Sequence, residues 1–207
     1  MEMITSENAE QLQKWKVDLF KSACNKECPL FSVDESNRKL VNEIFKYLNG
    51  QSESLDSKKG LWLYGPIGTG KSTIIQICRT YDHEVKFNRE TWRSSGGFNI
   101  VSASLVSNQF ARKGQDGIDK YGYNDSHPIT WAFDEVGREP CPTKYYGTEM
   151  NVMQFIFQTR YEFRHKCITH VTTNLYPEDI TDIYGDYIAD RIKEMFNVVE
   201  IKGDSRR

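Results

Sequence analysis

Residues 65–72 read Gly65-Pro66-Ile67-Gly68-Thr69-Gly70-Lys71-Ser72. A glycine, four residues and then Gly-Lys-Ser arise together by chance in about 1% of chains this long. The apolar run Leu61-Trp62-Leu63-Tyr64 precedes the pattern, and Thr73-Ile74-Ile75-Gln76-Ile77-Cys78 follows it. A buried strand, a glycine-rich turn and a helix are therefore expected in succession. Backbone N–H groups in such a turn converge into a nest for phosphate oxygens. The helix behind it aims the positive end of its dipole at the same point. Gly65, Pro66, Ile67, Gly68, Thr69, Gly70, Lys71, Ser72 and Thr73 thus form a candidate phosphate site. Lys71 would reach the β- and γ-phosphates of ATP, and the Ser72 hydroxyl would ligate Mg²⁺. A glycine-rich turn that holds no nucleotide is the competing reading, and the flanking strand and helix weigh against it.

A chain of 207 residues has room for one sizeable α/β domain and not for two comfortable ones. Its net charge of −2 gives no overall electrostatic case for non-specific nucleic-acid binding, although a local basic patch could exist. No apolar run approaches the roughly 20 residues that span a bilayer, so no membrane partner is expected. The start, Met1-Glu2-Met3-Ile4-Thr5-Ser6, lacks the basic and apolar regions of a secretory leader. Five scattered cysteines, an odd number, fit a reducing, cytoplasmic setting. Cys24 and Cys28 make a lone C-x3-C without a second pair, which is half a zinc site.

Leu12, Trp15, Leu19 and Ala23 recur at helical spacing over residues 9–23. This amphipathic helix either packs on the domain or, with its linker to residue 33, docks on a partner. A domain from 34 to 207 follows. Its first helix has Asp34 and Ser36 as cap candidates, an inward face of Leu40, Val41, Ile44, Tyr47 and Leu48, and a stop at Gly50. Further strands are predicted at 98–101, 129–133, 168–173 and 198–201. Helices are predicted around Leu105 to Phe110 and over 150–165. The Gly- and Asp-rich stretch 115–128 reads as a surface loop. Strands alternating with helices imply an α/β fold: a mostly parallel five-stranded sheet with helices on both faces.

The third predicted strand runs into Asp134-Glu135. An acidic residue at the carboxyl end of an apolar strand beside the phosphate turn suits Mg²⁺, which assigns Asp134 to the metal with Ser72. Glu135 would orient or deprotonate the attacking water. That second acid favours hydrolysis over transfer to a small-molecule hydroxyl, and it argues against a nucleoside- or shikimate-type kinase. The fourth strand runs into Thr172-Thr173-Asn174. The Asn174 amide could bond both γ-phosphate and water, or could be an ordinary turn residue.

Together, Gly60 to Ser72, Phe133-Asp134-Glu135-Val136-Gly137 and Thr172-Thr173-Asn174-Leu175 resemble AAA+ P-loop ATPases of the DnaC/IstB type, bacterial and phage helicase loaders and their transposition relatives. The segment Tyr184 to Met195 looks like that group's arginine-finger segment. The resemblance spans about residues 38–207. It implies that Arg191 enters the nucleotide site of a neighbouring copy, so that the chain is a homo-oligomer with ATP. A guanidinium is permanently charged and forks onto phosphate oxygens, which suits that task. The plainer reading pairs Arg191 with Asp190 or Glu194 on a solvated helix face. Arg207 is similar to a terminal arginine proposed to sense nucleotide in cis; Arg206 competes for that role, and so does a frayed tail. The short stretch after Asn174 implies a reduced or absent C-terminal lid.

The leading expectation is an ATPase that assembles on single-stranded DNA and delivers a replicative hexameric helicase, a role in DNA replication. The alternative is an ATP-gated, DNA-binding adaptor of a transposase. Lys86, Arg89, Trp92 and Arg93 interleave charge and aromatic surface as single-strand platforms do, or simply form an exposed loop.

Overall fold

A computed structural model describes residues 6–88, 93–94, 96–122, 129–203 and 205. Helices α1 (Ser6–Glu27) and α2 (Arg38–Leu48) come first, then strand β1 (Gly60–Tyr64) and helix α3 (Lys71–Val85). Strands β2 (Phe87–Asn88) and β3 (Arg93–Ser94) pair antiparallel. Strand β4 (Asn99–Ser102) leads into α4 (Ala103–Lys113), a 3-10 turn at Gly114–Gly117, α5 (Asp119–Gly122) and β5 (Trp131–Val136). A second antiparallel pair, β6 (Thr143–Tyr145) and β7 (Thr148–Met150), precedes α6 (Val152–Glu162). Strand β8 (Thr169–Thr173), α7 (Ile180–Tyr184), α8 (Asp186–Met195) and β9 (Phe196–Glu200) follow.

The five longer strands form one sheet in the order β4-β5-β8-β1-β9, with every pairing parallel. A parallel sheet must be covered on both faces, and the alternation within β1 shows how this is done. Trp62 packs on one side among Phe133, Phe157, Val171, Ile188 and Phe196, beneath α6 and α8. Leu61 and Leu63 turn to the other side, where Ile44 of α2 and Ile74, Ile75 and Cys78 of α3 meet them. The predicted α/β architecture is therefore present, and the sheet is wholly parallel.

The apolar face predicted for α1 is divided. Its C-terminal half packs on α2 and α3 through Ala23, Cys24 and Phe20, whose ring meets Phe45 and Tyr81 edge-on at 5.3 and 5.4 Å. Leu12 and Trp15, one to two turns earlier, are exposed. Other expectations need correction. Residues 115–122 are not simply surface loop, because Ile118 and Tyr121 are buried in the core; residues 123–128 lie outside the described set. Met150, predicted to open a helix, ends β7, and α6 begins at Val152 behind an Asn151 cap whose side chain accepts from Gln154 N. Strand β5 continues past Glu135 to Val136, with its register against β8 shifting between Phe133 and Val136. The cap candidates Asp34 and Ser36 form a turn, in which the Asp34 carboxylate accepts from Ser36 N and Asn37 N, and α2 starts only at Arg38.

Candidate nucleotide-binding site

The phosphate turn joins β1 to α3, so its geometry follows from a strand and a helix that the core holds rigidly. Gly70 caps α3 with φ +92°, a left-handed conformation that a Cβ would strain. Gly65 has φ +138°, and a Cβ there would collide with the Ile201 carbonyl oxygen of the strap leaving β9. Lys71 is buried, and its Nζ donates to the carbonyls of Gly65 at 2.8 Å and Pro66 at 2.6 Å. Thr69 Oγ1 donates to Pro66 O at 2.9 Å, closing the turn. A buried ammonium at this turn is placed to make charge-assisted bonds to phosphate oxygens.

Ser72, in the first turn of α3, donates its Oγ to Asp134 Oδ1 at 2.8 Å. Thr172 Oγ1 donates to the same carboxylate oxygen and accepts from Glu135 N at 3.0 Å. The Thr172 hydroxyl therefore clips β5 to β8 where their ladder shifts. Glu135 adopts φ +57°, uncommon for a residue with a side chain, and sits at this bulge. Bulges re-aim side chains beside sites; here Glu135 turns into the cleft while Asp134 faces Ser72. One hydroxyl and one carboxylate fit Mg²⁺, a hard ion that takes oxygen ligands and draws the rest from phosphates and water. Among the described residues no group of three or more His, Cys, Asp or Glu side chains could hold a metal by itself. Cys24 and Cys28 are free thiols, and burial pushes Cys24 up to about 11, unfavourable for a thiolate ligand.

The cleft, about 900 Å³, is lined by the phosphate turn, Glu135, Asn174 and the segment between α1 and α2. It thereby brings together Lys71, Ser72, Thr73, Glu135 and Asn174, with Asp134 behind Ser72. Part of its lining is apolar: Leu30, Phe31, Leu40, Val41, Ile74 and Val199. That part can take a flat base, and no motif flags it because its residues come from four separate stretches. Sequence reasoning also missed Thr172 and Arg138. Arg138 Nη1 bonds Glu135 Oε1 at 2.8 Å at the cleft wall, and only its place three residues after Glu135 could have pointed to it. The turn beyond β5 is tied down further on. Glu139 accepts from Gly137 N at 2.7 Å and from the Tyr184 hydroxyl at 2.5 Å. Burial, with Glu139 beside it, drives the Tyr184 hydroxyl far above its ordinary pKa, so it remains a donor.

Two predicted residues are elsewhere. Arg191 lies on α8, outside the cleft of its own chain, bonded to Asp190 Oδ2 at 3.2 Å as the plainer reading expected. Glu194 instead accepts from the Tyr161 hydroxyl at 2.9 Å. Arg207 and Arg206 lie outside the described residues. Ser205 is described, and a Cβ on Gly68 would run into its hydroxyl, so the chain returns to the phosphate turn after β9. Of the basic and aromatic stretch, Arg89 and Trp92 are outside the described residues, while Lys86 pairs with Asp82 at 2.7 Å. No helix among the described residues is long and apolar enough to cross a membrane.

No protein-family model matches the chain, and comparison with curated proteins finds no match. Solved structures do match. The DnaC helicase loader aligns over 85% of this chain and 96% of its own, with 16% identity and a TM-score of 0.59. DnaI aligns over 92% and 93%, with 16% identity and a TM-score of 0.59. The replication initiator DnaA, bound to AMPPCP and single-stranded DNA, aligns over 84% of this chain but 49% of its own, at 20% identity and TM-score 0.52. The strand order, the phosphate turn and these likenesses agree: the chain has the AAA+ P-loop NTPase fold of the DnaC type.

Proposed function

We propose that the protein binds and hydrolyses ATP as a helicase loader in DNA replication, assembling on single-stranded DNA and delivering a replicative hexameric helicase. The observation that carries this reading is the convergence of Lys71, Ser72, Glu135 and Asn174 in one cleft, on a fold shared with DnaC and DnaI. Lys71 and the backbone N–H groups of residues 67–72 hold the phosphates. Ser72 and Asp134 would hold Mg²⁺, which offsets charge on the β- and γ-phosphates when bound. Glu135, released from Arg138, takes a proton from water as its oxygen attacks the γ-phosphorus and the bond to the β-phosphate oxygen breaks. Asn174 orients that water.

Arg191 acts on the nucleotide of a neighbouring copy, so hydrolysis depends on assembly. Its absence from its own chain's cleft supports this division of labour. Arg207 serves as a sensor in cis, a role supported by the proximity of Ser205 to Gly68. The N-terminal segment 1–33, with Leu12 and Trp15 exposed on α1, provides the helicase-docking surface. Single-stranded DNA binding is supported by the likeness to DnaA, which was solved with that ligand.

The test is affinity isolation of Glu135→Gln with ATP from a host that replicates the protein's target DNA. The substituted chain should retain ATP, stall before hydrolysis and carry a hexameric helicase with it. Recovery of a transposase on duplex DNA, or sustained turnover by Glu135→Gln, would sink the loader reading or the role of Glu135 respectively.

A further inference from the structure

Arg191 is held in an unusual way. Its guanidinium carbon lies 3.7 Å from the Tyr187 ring centroid and 4.8 Å from that of Tyr161. Tyr187 precedes it by one turn of α8, whereas Tyr161 comes from α6, so the two rings grip the cation from different elements. Those rings meet edge-on, 6.3 Å apart at 77°. Tyr161 is itself fixed: its hydroxyl donates to Glu194 Oε2 at 2.9 Å, and the Arg164 guanidinium stacks on it at 3.9 Å. Arg164 Nε lies 3.7 Å from the same Glu194 oxygen. By contrast, the hydrogen-bonding edge of Arg191 is hardly used. Among the described residues Nε is buried with no partner, and Nη1 reaches only the neighbouring, exposed Asp190 at 3.2 Å and the Tyr187 carbonyl at 3.5 Å.

A guanidinium offers five N–H donors in one plane, and ring stacking uses its face while leaving that edge available. An arginine whose task was to fasten α8 to α6 would spend its donors on acceptors of α6. We infer that Tyr161 and Tyr187 are positioning residues that hold the Arg191 guanidinium in a fixed plane for the nucleotide phosphates of a second copy of this chain. The inference rests on the reading that Arg191 acts in trans. A free arginine must lose its rotamer freedom as it engages phosphate in the transition state; a stacked one has lost it beforehand. Removal of the rings should therefore lower the turnover rate more than it weakens ATP binding.

The experiment mixes two defective chains. Arg191→Ala keeps an intact cleft and Lys71→Ala keeps an intact arginine, so together they restore hydrolysis at the mixed interfaces. Tyr187→Leu, added to the Lys71→Ala chain only, alters a subunit that cannot itself hydrolyse ATP. It should lower restored turnover about tenfold with KM for ATP within about twofold, as expected for loss of orientation rather than of binding. Tyr187→Phe on the same chain keeps the ring and should stay within about twofold of the unmodified mixture. Tyr161→Leu combined with Tyr187→Leu should lower turnover by about a hundredfold. Equal turnover for Tyr187→Leu and Tyr187→Phe would overturn the positioning role. So would failure of the Tyr187→Leu chain to co-assemble, judged by sedimentation, because the ring would then belong to the fold or the interface. If Arg191→Ala alone hydrolyses ATP at the unmodified rate, the trans reading falls and this inference falls with it. If Arg191→Ala is inactive while the Leu variants are normal, only the inference falls.

Discussion

Arg160 and Arg191 extend from helices on the same face of the sheet and are used in opposite ways. Arg160 is 1% exposed, and its fork is spent. Nε donates to Thr169 Oγ1 at 2.7 Å, Nη1 to Tyr121 O at 2.9 Å, and Nη2 to Ile129 O and Ile168 O, both at 3.0 Å. Its acceptors come from three segments and none is charged, so one cation ties α6 to the ends of β5 and β8 and to α5. Arg191 is stacked by its face and keeps its edge. The difference teaches that an arginine's role is written in how its donors are used, since residue type and helical setting are the same in both.

Substitution by methionine should separate the two most sharply. Arg160→Met leaves three buried carbonyls and a hydroxyl without their donor and should cost about 3–5 kcal/mol. Arg191→Met gives up ring contacts and an exposed ion pair and should cost about 1 kcal/mol or less in the dilute monomer. Urea midpoints at unchanged slope would measure both. Equal losses would erase the contrast and return Arg191 to the scaffold.

The opposite face of β8 carries a group that meets burial by giving up its charge. His170 accepts from Leu61 N through Nδ1 at 3.1 Å, and its ring stacks on Phe98 at 4.6 Å. Burial lowers its pKa to about 4 from an ordinary 6.5, against a smaller opposing pull from Asp82. The unfolded chain therefore takes up a proton first as pH falls. The contribution of neutral His170 is complete above about pH 6.5 and is lost between there and pH 4, by up to about 3 kcal/mol. His170→Asn, which keeps an acceptor and cannot titrate, should flatten that part of the stability curve. An unchanged difference between pH 7 and pH 4.5 would mean that His170 is protonated in the folded chain.

A smaller effect should come from the clip between strands. Thr172→Val removes the hydroxyl that bonds Asp134 and receives Glu135 N. The cost should be about 1–2 kcal/mol in stability, the range for one buried amide left unsatisfied. Turnover in the assembled protein should fall about tenfold, because Asp134 and Glu135 lose their common anchor. Full turnover in Thr172→Val would show that the bulge holds without it.

Much of this was legible from residue order. The phosphate turn, Asp134 and Glu135 each lie within a single stretch, so the run of residues fixes their geometry. The apolar run Leu61-Trp62-Leu63-Tyr64 likewise announced a buried strand, present as β1. Contacts between stretches were not legible. Thr172 meets Asp134 across 38 positions, and nothing in a Thr-Thr dipeptide says which hydroxyl faces the site. Ile118 and Tyr121 were hidden by their polar and glycine neighbours, which read as loop although the two side chains are core. The β6–β7 hairpin was missed because its strands are three residues long, too short for alternation to register. Arg160 drew no notice, and Arg191 drew it only through resemblance, since sequence does not record where a guanidinium spends its donors.

Arg138 offers a third use of an arginine, and the gentlest test. It pairs with Glu135 at 2.8 Å, three residues away, with both side chains about two-fifths exposed (42% and 40%). Such a pair is worth less than about 1 kcal/mol, because water screens it and two mobile side chains must be ordered. It can bias Glu135 away from a water-activating position by no more than about fivefold, the factor that 1 kcal/mol represents. Arg138→Gln should therefore leave the urea midpoint almost unmoved and raise assembled turnover by up to about fivefold. The gain should shrink as salt is added to the unmodified protein, since screening loosens the same pair. A fall of more than tenfold would reverse the assignment: Arg138 would then be spending its donors on phosphate, as Arg191 is proposed to do across the interface, and its bond to Glu135 would mark only the resting arrangement.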